Sequence, residues 1–347
     1  SCHFSYFMRY GLEAEPRKPA AFTAPEYGTF VHYVLQHVLQ DGMFAQTAIA
    51  GMEEEGVRKK RLRKLTKEVV DRYVLEELGG LEGQSARFQY LFRRLLRSVQ
   101  AVVDNVVEEL LASKFKPISF ELGFGRGKTD DKELPLPPIE LTCNDVTISV
   151  TGFVDRVDGW VDGGKLHLRV VDYKTGRKSF DLTEVWDGLG LQMLLYLFTL
   201  EEKGQALYGL PVEGDGVLYL PAREAIVHGK RSMSDIELQK RVDRELTRSG
   251  LVVSDRRVLD AMEAQSEGGY RFLPLRVSKS TGEITGEALA SAEQLGKLGR
   301  HIQKVLEDIC LELAKGSIAA DPFWRGPDKN ACRFCDYAAA CHFEPGH

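Results

Sequence analysis

No apolar run in this sequence is long enough to cross a bilayer: the longest, such as Leu191 to Leu200, stop well short of the ~20 residues a spanning helix needs. Nor does a charged-then-apolar leader open the chain, so no membrane partner is expected and a cytoplasmic location is the default. The phosphate-cradling pattern G-x-x-x-x-G-K-[ST] is missing, which removes ATP binding by that route. Positive charge is short as well, with 46 Lys and Arg against 51 Asp and Glu, so any grip on a polyanion has to come from local basic surfaces. Cysteine is scarce, at six residues, and without a secretory leader a disulfide framework is not expected. What remains is ordinary for a globular protein, 43% hydrophobic and 28% charged, in a chain long enough for one large domain or two close ones. The chain starts at Ser1 and not at Met, from which a fragment of a longer polypeptide, lacking its upstream part, is expected.

Against these absences stands Asp172-Tyr173-Lys174, 17 residues after Asp155 and 18 before Gln192. Val146 to Val157 is rich in β-branched residues, Gly159 to Gly164 reads as a turn, and Leu166 to Tyr173 is apolar again, which predicts an antiparallel pair that sets Asp155 beside Asp172. Alternation along a strand points Asp172 and Lys174 to one face and Tyr173 to the other. Arg156 should then face away from Asp155, and Asp158, near the hairpin, reads as structural. Two carboxylates and an ammonium in one pocket suit Mg²⁺ or Mn²⁺ and the hydrolysis of a phosphodiester. A lone D-x-K would more often be a surface ion pair; the surrounding motifs decide between the two.

Gly152-Phe153-Val154-Asp155-Arg156-Val157-Asp158, Val170-Val171-Asp172-Tyr173-Lys174-Thr175-Gly176 and Gln192-Met193-Leu194-Leu195-Tyr196, in that order, resemble the three central motifs of the RecB-like branch of the PD-(D/E)xK nucleases. Gly28 to Leu35 is similar to that family's helical G-x-x-x-H-x-x-L motif. The order, with Phe180 to Val185 before the glutamine helix, looks closest to the AddB-type nuclease modules of bacterial helicase-nucleases. The resemblance implies an α/β fold: a restriction-endonuclease-like core, a central mixed sheet flanked by helices, with a helical insertion and a terminal iron–sulfur segment. It implies that His32, Asp155, Asp172 and the carbonyl of Tyr173 hold the metal, and that Lys174, Gln192 and Tyr196 act on water or the scissile phosphate. It also implies a single DNA strand from an unwound duplex end as substrate, the strand ending 5′ at the break, and an AddA-like helicase-nuclease subunit as partner.

Each of these residues has a plainer reading. His32 lies on a helix with apolar Val31, Val34, Leu35 and Val38, where a lone histidine is usually packed or capping. Tyr196, one turn from Gln192, reads equally as core with its hydroxyl at the rim. Glu121, on a strand from Ile118 to Phe124, is either an accessory to the carboxylates or a strand-edge charge, and it stays outside the expected set. Arg58-Lys59-Lys60-Arg61, opening a run to Lys64, either grips a nucleic-acid backbone or forms a solvated helix face paired to Glu53 to Glu55. Arg93, Arg94 and Arg97 are a weaker basic candidate.

Three of the cysteines form Cys332-x2-Cys335-x5-Cys341 near the end of the chain, a spacing that favours a metal centre over a disulfide. The resemblance implies Cys2, 330 residues upstream, as the fourth ligand of a [4Fe–4S] cluster; zinc with His342 or His347 is the structural rival. Trp324 and Phe334 are expected to shield the cluster, and Cys143 and Cys310 to be packed thiols.

The expected organisation is an amino-terminal segment 1–27 with a linker from Pro16 to Pro25, a nuclease core 28–220 with a helical insertion over about 45–113, an accessory region 221–315, and the cysteine segment 316–347. Within it, Pro117 ends the insertion, Gly125 to Glu133 is a loop, and Ile139 to Cys143 pairs across Asn144-Asp145 with the strand leading to Asp155. One helix is expected over Leu182 to Leu200, a strand over Gly214 to Leu220, and a long helix over Glu287 to Lys315. No chemistry is read in Ala222 to Gly286. Besides an active nuclease, two functions fit: a catalytically silent DNA-binding scaffold, which should have lost Asp155, Asp172 or Lys174, and a stand-alone nuclease of the CRISPR-adaptation type, which should be shorter.

Overall fold

The computed structural model describes residues 2–15, 24–40, 54–80, 86–125, 136–229, 232–266 and 269–344. In chain order the elements are α1 (His3–Tyr6), continued by a π turn Phe7–Gly11, α2 (Ala24–Val38), α3 (Glu55–Leu78), α4 (Ala86–Leu111), β1 (Lys116–Phe124), β2 (Ile139–Cys143), β3 (Val146–Val150), β4 (Gly152–Asp162) and β5 (Lys165–Lys174). There follow α5 (Leu182–Trp186), α6 (Gln192–Tyr208), β6 (Val212–Pro221), α7 (Asp235–Leu246), β7 (Ser249–Val253), α8 (Arg256–Met262), β8 (Arg276–Val277), β9 (Ile284–Thr285), β10 (Leu289–Ala290), α9 (Ala292–Ala314) and α10 (Ala338–Cys341).

A six-stranded mixed sheet, ordered β1-β4-β5-β6-β7-β10, organises the molecule. The β1-β4-β5 strands are antiparallel, and β5 and β6 run parallel, a pairing that needs the crossover α5–α6 provides. Helices α2, α3 and α4 bury Phe30, Val34, Val69, Val102 and Val106 against Val171 and Tyr173 of one face. Helices α6 and α9 bury Leu194, Leu197, Ile302 and Leu306 against Val157, Leu168 and Val170 of the other. A third cluster packs Val258 and Met262 of α8 on Leu218 and Val252. The central mixed sheet flanked by helices is the expected fold class. Its strands do not stop at residue 220, since β7 and β10 join the same sheet.

Several local expectations are corrected. The β-branched stretch from Val146 is not one strand: it breaks at Thr151, and β3 pairs only with β2, in a separate hairpin. Asn144 and Asp145 both adopt left-handed backbone, φ 48° and 65°, the conformation a two-residue hairpin turn demands. Ile139 to Cys143 does pair across Asn144-Asp145 as expected, but its partner β3 ends before the strand that carries Asp155. The β4–β5 turn is only Gly163-Gly164, while Gly159 stays within β4, where an added Cβ would meet Ile118 at 2.8 Å. Pro117 does not end the insertion; α4 stops at Leu111, and Pro117 lies inside β1, an edge strand that tolerates a missing N–H. The helix expected over Leu182 to Leu200 is interrupted by Gly188 and Gly190, φ 80° and 65°. The long helix starts later than expected, at Ala292, set by a capping box between Ser291 and Gln294. The proposed linker from Pro16, the loop over 126–133 and parts of the insertion lie outside the described residues. No helix among the described residues is long and apolar enough to cross a membrane.

Candidate active site

Register builds the site. Arg156 pairs with Val171, so the next step along each strand sets Asp155 against Asp172, and the backbone N–H of Tyr173 donates to Asp155 Oδ2 at 2.6 Å. On β1, Phe120 pairs with Arg156 and Leu122 with Val154, which leaves Glu121 across from Asp155. Glu121 holds φ 46°, a costly backbone for a residue with a Cβ and one that re-aims its carboxylate.

From α2, His32 reaches the same point. Its Nδ1 lies 3.4 Å from Asp155 Oδ1 and 3.9 Å from Glu121 Oε1, and its Nε2 lies 3.1 Å from the carbonyl oxygen of Tyr173. Among the described residues, His32, Glu121 and Asp155 form the group whose ligand atoms all fall within 4.8 Å of one another. Glu121, left outside the expected set, belongs to it. Both ring nitrogens of His32 face oxygen acceptors, so the arrangement favours a positive charge there. Burial alone would lower the His32 pKa, but hydrogen bonding to Asp155 and the charges of Asp155 and Glu121 raise it above its ordinary value.

Asp172 and Lys174 share a face as expected, with Nζ 2.5 Å from Oδ2. Burial and then the neighbouring Asp155 push the Asp172 carboxyl up, against the opposing charges of Lys174 and His32. Gln192 Nε2 donates to the Tyr196 hydroxyl at 2.9 Å, one helical turn away. Tyr196 is nearly buried, stacks on Phe124 with centroids 4.6 Å apart, and carries its hydroxyl to the start of β4. A Cβ on Gly152 would stand 1.9 Å from that hydroxyl, so glycine is what lets Tyr196 reach the site. Burial raises the Tyr196 pKa, opposed by Gln192 and reinforced by Asp155 and Asp172.

Tyr173 points to the opposite face, as predicted, and rests on a buried ionic network. Arg156, which does turn away from Asp155, lies 5.7 Å below the Tyr173 ring and pairs through Nε with Asp158 Oδ1 at 2.8 Å. Arg169 donates to Asp158 Oδ2 at 2.9 Å, and Arg248 to Glu109 Oε2 at 2.8 Å. Arg169 and Arg156 also approach Glu109, at 3.4 and 3.8 Å. Glu109 on α4 thus ties the helical layer to β4, β5 and the residue before β7. Burial would raise its pKa, but the guanidiniums of Arg248, Arg169 and Arg156 outweigh that and hold it at about 2.

Other sequence candidates lie apart from this group. The basic run falls on α3, where Lys59 pairs with Glu55 at 2.5 Å and Lys64 with Glu68 at 3.7 Å. Cys2, Cys332, Cys335 and Cys341 together line a small pocket closed by Phe4 and Phe343. Burial and then the other three thiols push the Cys332 thiol up, which records their convergence. The two chain ends are tied there by His3 to Asp321 at 2.7 Å and by the Tyr337 hydroxyl to the Ala14 carbonyl at 2.7 Å. Phe334 does not shield this pocket: it is 87% exposed, while Trp324 packs on Phe343, 6.1 Å between centroids. Cys143 and Cys310 lie beside each other, away from the pocket; Cys310 is buried against the Leu141 carbonyl, and its contact pushes the Cys143 thiol up to about 11.

Two comparisons with known proteins found matches. A family model described as the PD-(D/E)XK nuclease superfamily matches residues 1–342. The chain is 34% identical over 346 residues to a protein from Clostridium novyi (strain NT) that is named as a subunit of an ATP-dependent helicase/deoxyribonuclease, covering 99% of this chain and 29% of that protein. Proteins of the same name from Acetivibrio thermocellus and from Clostridioides difficile (strain 630) are each 30% identical, again over 99% of this chain and 29% of their own length. The chain thus spans about 29% of the length of the curated relatives it matches.

Proposed function

Because the chain belongs to the PD-(D/E)XK nuclease superfamily, we propose that it is a divalent-metal-dependent deoxyribonuclease, acting as the exonuclease module of a bacterial helicase-nuclease in double-strand break repair. The observation that carries this reading is the convergence of His32, Glu121 and Asp155 beside the Asp172–Lys174 pair. The donor set fits a hard cation: three carboxylates, one imidazole and the Tyr173 carbonyl, with Asp172 Oδ2 buried and lacking a hydrogen bond of good geometry. His32, Glu121, Asp155, Asp172 and the Tyr173 carbonyl would hold Mg²⁺ or Mn²⁺, which when bound supplies a polarised phosphoryl oxygen and a water of lowered pKa. Lys174, held against Asp172, orients the attacking water and offsets the charge that gathers on the phosphate oxygens. Gln192 and the Tyr196 hydroxyl hold a non-bridging oxygen from the start of β4. None of Asp155, Asp172 and Lys174 is lost, which speaks against a silent scaffold.

The substrate in this reading is a single DNA strand from an unwound duplex end, the strand ending 5′ at the break, delivered by an AddA-like partner in the cytoplasm. The helicase/deoxyribonuclease names of the relatives support the partnership. The test is cleavage of end-labelled single-stranded DNA by wild type and Lys174→Ala with Mg²⁺, Mn²⁺ or EDTA. Cleavage should need the ion, fall ~10²-fold or more in Lys174→Ala, and the labelled end should report the polarity. Ion-independent cutting, or wild-type cutting by Lys174→Ala, would falsify the assignment.

The four-cysteine pocket is proposed to hold a [4Fe–4S] cluster that pins the two ends of the chain. The four cysteines line one pocket, where their thiolates can ligate a single centre that joins residue 2 to residues 332–341. Cys335→Ser is expected to lose iron and visible absorbance together while its circular dichroism keeps the α/β signature. A colourless native protein carrying one zinc would overturn the cluster.

A further inference from the structure

A second groove opens beside the active site, with a volume of about 320 Å³, and one of its walls is Lys174 itself. The other basic side chains lining it are Arg177, Lys178, Arg223 and Arg244, against a single carboxylate, Glu245. This local excess stands out in a chain whose net charge is −5. Glu245 is shared by Arg177 at 3.5 Å and Arg223 at 3.2 Å, and no carboxylate among the described residues pairs with Lys178 or Arg244. Tyr219 lines the groove, and the ammonium groups of Lys174 and Lys178 each sit 5.4 Å from its ring centroid. Lys178 is thus held near the catalytic lysine, although exposed lysines ordinarily sample many directions.

From this arrangement we infer that the groove from Lys174 past Lys178 to Arg244 is the track that holds the phosphates of the single strand on one side of the scissile bond. The inference rests on the nuclease reading and adds to it a substrate path that the family motifs do not contain. A concave surface with unpaired cations and one end at the reacting phosphate binds a polyanion where it can be cut. An isolated basic helix face, such as that on α3, has its charges partly cancelled by its own glutamates. The groove continues through Ser179 and Ser249 into a wider cleft containing Arg276, Asp181 and Glu287, where the cationic excess ends. The phosphate grip is accordingly short and lies next to the chemistry.

The experiment measures binding of fluorescein-labelled oligo(dT) to the 347-residue protein in EDTA, across a salt series, for wild type, Lys178→Glu/Arg244→Glu and the charge-matched control Lys297→Glu/Lys304→Glu on α9. The groove variant is expected to bind ~10- to 100-fold more weakly at low salt, and its log–log salt slope to be shallower by about 1.4, two phosphate contacts at ~0.7 each. The control should lose far less. Equal losses in the two variants, an unchanged salt slope, or no binding by wild type would each overturn the groove. Mg²⁺-dependent cleavage of the same oligonucleotide by wild type is scored separately, so the nuclease reading stands or falls without reference to the groove.

Discussion

Asp172→Asn is expected to reduce Mg²⁺-dependent cleavage of single-stranded DNA by at least about 10³-fold while leaving the protein as stable as wild type. The size of the effect follows from position. Asp172 sits beside Asp155 and presents the oxygen that Lys174 approaches at 2.5 Å, so losing its charge weakens the cation site and releases the lysine at once. Stability should survive because the wild-type carboxylate is already disfavoured: burial and Asp155 raise its pKa, and the neutral amide relieves that repulsion. Lys174 keeps 29% of its side chain in solvent and can rehydrate. The same geometry predicts a pH dependence. Both Asp172 and His32 have raised pKa values, and both must be unprotonated to act as ligands. The Mn²⁺ concentration giving half-maximal cleavage should therefore rise as pH falls, beginning above the ordinary imidazole value of 6.5. A half-saturating concentration that stayed flat across that range, or an Asp172→Asn protein that cut within about tenfold of wild type, would remove these two residues from the site.

How much of this was legible depends on whether the determining interaction is local. Asp155 and Asp172 could be placed side by side because a hairpin obeys strict alternation, and a pair of glycines at 163 and 164 fixes the turn. His32 was legible as a candidate only through the resemblance of Gly28 to Leu35 to a family motif, because a helix buried at Val31, Val34, Leu35 and Val38 more often carries a packed or capping histidine. Glu121 was not, since its membership depends on which strand β1 pairs with and on a left-handed backbone at a residue whose type gives no warning of it. The break at Thr151 hid inside a continuous β-branched run, where propensity alone does not tell one strand from two. Gly188 and Gly190 did carry a signal, because two glycines in three residues rarely continue a helix. The groove was hidden because Lys178, Tyr219 and Arg244 are brought together only by the parallel pairing of β5 with β6 and the packing that follows it.

The buried network was the least legible feature, because sequence patterns assign arginine and glutamate to the surface, and it supports the largest stability effect expected here. Glu109→Ala should destabilise the protein by about 3–5 kcal/mol, the cost of leaving buried guanidiniums without their carboxylate. Arg156, Arg169 and Arg248 all lie within 4 Å of Glu109, and Asp158 alone does not neutralise three cations. Glu108→Ala, one residue earlier, removes one of the two carboxylate partners of Arg271, where both side chains are more than a third exposed and Asp243 remains, and should cost no more than ~1 kcal/mol. The pH dependence has a defined sign. The folded pKa of Glu109 is depressed from 4.5 to about 2, so its stabilisation is complete above the unfolded value and is lost as pH falls through that interval. Urea midpoints of wild type and Glu109→Ala should accordingly differ most near neutral pH and converge toward pH ~2. The loss should also reach the active site, because Arg156 supports the ring of Tyr173, whose backbone N–H holds Asp155 and whose carbonyl faces His32. A Glu109→Ala protein with the wild-type midpoint would mean that the arginines find other partners or water, and that the helical layer is held to the sheet by apolar packing alone.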